Sequence, residues 1–203
     1  MKKYIIVPLA AVFLLTAGVF IYIGNYYHAA EDAMALVDTP TADIHLTVDE
    51  EGRMIFEPAT EAETGIIFYP GGKVQAESYA PLLNTLAEEG ILTVLVPMPA
   101  NLAVLDVDAA DGITARYGSV EDWYMAGHSL GGSMAASYLA DHAEDYDGLI
   151  LLGAYSTADL SATDLAVLSV FGSEDTVMNR RKYDENKPNL PSDFTDLLVG
   201  GIE

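Results

Sequence analysis

Hydrophobic positions in this chain fall into short uninterrupted runs: TGIIFYP, ILTVLVP, DWYMAG, DGLILLG, AVLSVFG and DLLVGGI. Runs of this length, bounded by Gly or Pro, predict strands with apolar surroundings on both faces. Between the first two, QAESYAPLLNTLAEEG puts Tyr79, Leu82, Leu83 and Leu86 at helical spacing and stops at Gly90. SLGGSMAASYLADHAEDY predicts a second helix, and NRRKYDENKPNLPSD a polar loop or irregular helix. Ahead of all these, DIHLTVDEEGRMIFEP alternates apolar and polar positions and turns at Glu50-Glu51-Gly52, as a hairpin does. An antiparallel start followed by strand–helix repeats predicts an α/β fold, a mostly parallel sheet with helices on both faces.

The N-terminus follows another pattern. Lys2 and Lys3 precede an apolar stretch from Tyr4 to Ile23, with no formal charge until Glu31. About 20 residues of helix rise roughly 30 Å, the thickness of a bilayer core. Tyr22, Tyr26 and Tyr27 stand where an interfacial aromatic belt would lie. The expectation is an uncleaved transmembrane signal anchor over residues 1–28 that holds the protein to the cell membrane. Lys2 and Lys3 would stay inside and the catalytic domain outside; secretion after cleavage is the alternative. Residues 29–42 read as a linker and 43–203 as one domain.

Composition narrows the partners. The 203 residues carry 9 basic and 31 acidic side chains, a net charge of −22 that repels phosphate backbones and excludes nucleic acid. There is no cysteine, so thiol catalysis and disulfides are excluded.

The chemistry centres on Gly127-His128-Ser129-Leu130-Gly131, a G-x-S-x-G between a strand run and a helix rich in small residues. A strand entering a helix through so tight a turn lifts the serine hydroxyl above the sheet edge, at the positive end of the helix. Ser129 is therefore the candidate nucleophile. The Leu130 amide is one candidate donor to an oxyanion. The other is the Gly72 or Lys73 amide in FYPGGKV, where paired glycines let backbone approach a ligand. A phosphate-loop reading of Gly72-Lys73 fails, because Val74 and Ile67 occupy positions that would need Ser or Thr and Gly. The candidate acid is Asp175, directly after the AVLSVFG strand, with Glu174 as runner-up.

On FYPGGKVQAESYAPLLNTLAEEGILTVLVPMPANLAVLD, GHSLGG and VFGSEDTV, in that order, the chain resembles the α/β-hydrolase superfamily, in particular its small cap-less, dienelactone-hydrolase-like esterases. The resemblance implies Ser129 as nucleophile, Asp175 as triad acid, and an oxyanion hole built from the PGG loop and Leu130. About a dozen residues separate LILLGAY from AVLSVFG, too few for the lid that larger relatives insert there.

The resemblance also implies a histidine base after the last strand. The four histidines present do not fit that place. His28 borders the apolar N-terminus, and His45 lies on the hairpin. His128 adjoins the serine, with its ring expected to diverge from the hydroxyl. His142 is 13 residues along the helix, roughly 20 Å away. The expectation is that the native chain continues past Glu203 and carries the base there.

Asp106, Asp108 and Asp111 in DVDAADG miss the spacing of a calcium loop by one residue and read as turn chemistry. The sequence thus predicts a membrane-anchored serine hydrolase acting on small acyl esters, needing no cofactor and no metal. A non-catalytic binding protein that kept the fold and an acyltransferase are the alternatives.

Overall fold

The computed structural model describes residues 3–41 and 43–201, with side chains on the first helix described from Leu14 onward. An eight-stranded sheet runs in the order β1-β2-β4-β3-β5-β6-β7-β8. β1 (Ile44–Val48) and β2 (Met54–Pro58) form the expected hairpin, and β2 also pairs antiparallel with β4 (Leu92–Leu95). All remaining pairs are parallel, through β3 (Thr64–Tyr69), β5 (Asp122–His128), β6 (Gly148–Leu152), β7 (Ala166–Gly172) and β8 (Phe194–Val199).

Strand alternation divides the core between the two sheet faces. On β3, Ile66 and Phe68 face a cluster that includes Phe56, Ala80, Leu83 and Ala87, the last three on α3 (Ala80–Glu88). Ile67 and Tyr69 face the other cluster, which includes Ala135, Ala136 and Leu139 of α4 (Leu130–His142). The strands are buried on both faces because helices cover both, which is why their sequences read as continuous apolar runs. α5 (Arg180–Asn186) is the helical part of the polar stretch after β7, capped where the Asn179 side chain accepts the Lys182 N–H. Only residues 153–165 connect β6 to β7, so no lid stands over that end of the sheet.

The N-terminal region departs from expectation. α1 spans Lys3–Gly24. Among the described residues no helix is long and apolar enough to cross a membrane. The transmembrane signal anchor, and with it the membrane as a partner, is corrected on that finding. Lys2 lies outside the described residues. So do Ala42, in the expected linker, and Ile202 and Glu203 at the chain end. Within residues 29–42, α2 (Glu31–Asp38) packs its buried Ala33 and the half-buried Leu36 and Val37 on the α3 side of the sheet.

Candidate active site

The C-terminal ends of β3, β5 and β7 meet at one edge of the sheet, where open α/β sheets place their ligands. A cavity of about 490 Å³ lies there, lined by Gly72, His128, Ser129 and Asp175 together with apolar side chains.

Ser129 is the single residue between β5 and α4, with φ 51° and ψ −119°. This backbone conformation is unfavourable for a residue with a Cβ, and it persists only because the surroundings determine it. The Ser129 N–H donates to the Leu152 carbonyl at 2.9 Å, and its own carbonyl accepts the Ser133 N–H at 3.1 Å. The glycines leave no alternative. A Cβ on Gly131 would lie 2.1 Å from the Tyr69 carbonyl oxygen, and one on Gly127 would lie 2.5 Å from the Gly132 nitrogen. Strand and helix thus approach at a separation only glycine allows, and the turn between them is the sharp elbow expected from the motif.

Of the candidate oxyanion donors, the structure separates Gly72 from Lys73. The Lys73 N–H donates to the Asn101 carbonyl at 2.6 Å and so is occupied. Among the described residues neither the Gly72 nor the Leu130 N–H has a hydrogen-bond partner, and the Leu130 side chain packs against Gly72. Lys73 instead has φ 60° and sets its ammonium 4.3 Å from the centre of the Tyr22 ring.

Asp175 closes a turn after β7, where its Oδ1 accepts the Val177 and Met178 N–H groups at 2.8 and 2.9 Å. Its other oxygen faces the cavity: a Cβ on Gly153 would lie 3.5 Å from Asp175 Oδ2 and 3.7 Å from His128 Nε2. Glu174, the runner-up, is exposed and its carboxylate accepts the Ser173 hydroxyl at 3.4 Å.

His128 belongs to the cavity, a placement that its position beside the serine did not announce. No hydrogen bond joins its ring to Ser129 Oγ among the described residues. Its Nδ1 lies 2.8 Å from the Tyr79 hydroxyl, which also accepts the Gly71 N–H at 3.1 Å. Burial pushes the Tyr79 phenol above its ordinary value, with the Gly71 N–H acting in the opposite direction, so the phenol keeps its proton. The Tyr79 hydroxyl keeps a proton and a second lone pair, so its contact with His128 Nδ1 is satisfied by either tautomer of the neutral ring. Burial lowers the His128 imidazole below its ordinary value, and the nearby Asp175 carboxylate partly offsets this.

The other histidines lie elsewhere. His28 contacts Tyr26, and His45 Nδ1 pairs with Glu57 at 3.2 Å. His142 stacks on Tyr138 with ring centres 4.1 Å apart. Asp106, Asp108 and Asp111 form no metal-binding group among the described residues.

The chain belongs to the alpha/beta hydrolase family, whose model matches residues 65–203. Solved structures agree in fold. A predicted CIB-like hydrolase from Thermoplasma acidophilum superposes with TM-score 0.57 at 17% identity, covering 78% of this chain and 88% of its own. A carboxyl esterase 2 from the mycorrhizal fungus Tuber melanosporum superposes with TM-score 0.63 at 12% identity, covering 87% and 81%. No curated protein matches the chain significantly in sequence.

Sequence reasoning missed Tyr79 as part of the site. It reads as one apolar position of a helix, and a phenol at that place signals nothing until its hydroxyl is seen between Gly71 and His128.

Proposed function

We propose that this α/β hydrolase cleaves small carboxylic esters through an acyl-enzyme on Ser129. The observation that supports this best is the Ser129 backbone, held at φ 51° beside two N–H groups that have no partner among the described residues, those of Gly72 and Leu130. Ser129 Oγ would attack the acyl carbon while these amides hold the oxygen on which negative charge develops; the ester C–O bond then breaks, and the alcohol departs with the proton that a base took from the serine. A backbone already fixed in that geometry needs no rearrangement as the charge forms.

A base must take the serine proton. His128 does not fill that role: its Nδ1 is engaged by the Tyr79 hydroxyl, and among the described residues no hydrogen bond joins its ring to Ser129 Oγ. Asp175 Oδ2, left free by the turn, would orient a base placed between it and Ser129. Water then attacks the same carbon, the bond to Ser129 Oγ breaks, and the carboxylic acid leaves as the proton returns to the serine. The Tuber melanosporum structure named as a carboxyl esterase supports the ester reading at the level of fold.

The test is labelling with a small alkyl fluorophosphonate, read as intact mass, with Ser129→Ala as control. Stoichiometric label on the wild type and none on Ser129→Ala supports the reading. A folded wild type that takes no label overturns it and turns attention to ligand binding without catalysis.

A further inference from the structure

The segment after α1 is fastened directly to the candidate oxyanion loop. The Tyr27 N–H donates to the Lys73 carbonyl at 2.7 Å, and the Gln75 N–H donates to the Tyr27 carbonyl at 2.9 Å, a parallel bridge centred on Val74. The Ala29 N–H adds a bond to Gln75 Oε1 at 3.0 Å. Backbone bonds thus hold Tyr27 in place whatever its side chain does, and that side chain borders the cavity.

Tyr27 is 76% exposed although it is a cavity wall, so a bound molecule would cover surface that is now wet. Val74 continues the wall on the same side, while Phe171 and Met178 stand among the apolar groups near the acid. Among the described residues the lining contains no lysine or arginine, and its one carboxylate is Asp175. Within a chain of net charge −22, such a site disfavours anions.

We infer that Tyr27 is a specificity-determining residue of the proposed site, its ring packing on the apolar group of uncharged esters. This rests on Ser129 being the nucleophile. With no lid over the sheet edge, the segment before the hydrolase domain supplies one wall of the substrate site. An aromatic ring with two side-chain torsions offers a large apolar surface at small entropic cost when a ligand covers it.

The experiment compares labelling rates of the full chain with methyl and hexyl fluorophosphonates, in wild type, Tyr27→Phe and Tyr27→Ala. Wild type and Tyr27→Phe should share one hexyl-to-methyl ratio, and Tyr27→Ala should lower it about tenfold, in the range expected for lost apolar contacts in a pocket. A merely structural role would slow both reagents together and leave the ratio unchanged. An unchanged ratio in a labelled, folded Tyr27→Ala overturns the inference alone. No label on the wild type overturns the nucleophile and this inference with it. If Tyr27→Ala fails to fold, Tyr27→Leu takes its place: a shifted ratio supports the inference and an unshifted one overturns it.

Discussion

The Tyr79 hydroxyl lies 2.8 Å from His128 Nδ1 and accepts the Gly71 N–H, so one phenol joins the glycine loop after β3 to the sharp turn at Ser129. The 3-10 turn Ala76–Tyr79, which leads into α3, thereby couples two loops that follow different strands, and the Gly72 amide next to Gly71 inherits that restraint.

Tyr79→Phe removes only the oxygen and leaves the Gly71 N–H and His128 Nδ1 without their partner. Loss of a buried hydrogen-bond partner costs about 1–3 kcal/mol, measurable as a shift in urea midpoint. Fluorophosphonate labelling should slow by about tenfold, as the loop loses its register with Ser129. Nitrogen-resolved NMR of the ring should show one dominant tautomer in wild type and a mixture in the variant.

Gly131→Ala tests the close approach of strand and helix. Its Cβ would meet the Tyr69 and Pro70 carbonyl oxygens at 2.1 and 2.3 Å, both backbone atoms that cannot step aside. The expected loss is about 3 kcal/mol, with overpacking as the cause. Denaturant titration measures it, and a cost under about 1 kcal/mol would contradict the geometry.

His128 gives stability a pH dependence of definite sign. Its folded value lies below the ordinary 6.5, so on acidification the unfolded chain binds its proton first. The contribution is complete above about pH 7, falls as pH drops through the ordinary value, and levels once the folded ring protonates. His128→Gln should therefore show a shallower loss between neutral and mildly acidic pH than wild type. Urea midpoints across that range decide it.

Asp175→Asn keeps an oxygen for the Val177 and Met178 amides and removes the charge that faces His128. Stability at neutral pH should change by less than about 1 kcal/mol, because the turn persists. The His128 titration followed by NMR should move to lower pH, since the carboxylate now supports the charged ring. A midpoint that rises or stays in place would show that Asp175 does not act on this histidine.

Much of the fold was legible because its signals are local. Doubly apolar runs predict buried parallel strands, and the alternation from Ile44 to Pro58 predicts the hairpin, since each pattern reflects what lies on the two sides of a strand. The elbow was legible too: a serine among glycines between strand and helix leaves few geometries. The apolar N-terminus shows the opposite case. Its hydropathy predicts a spanning helix, and hydropathy carries no information about contacts such as those joining Tyr22 and Tyr27 to the loop at Lys73.

What the sequence by itself determined is therefore the architecture and the position of Ser129 within it, because periodicity and backbone permissiveness act between near neighbours. Tertiary structure alone decided which groups surround that serine. It gave the Lys73 amide to Asn101, left the Gly72 amide without a partner among the described residues, and turned His128 toward Asp175 under the Tyr79 hydroxyl. Hydrogen-bond partners 28 to 49 positions apart are chosen by how strands and loops stack, and no pattern along the chain encodes that choice.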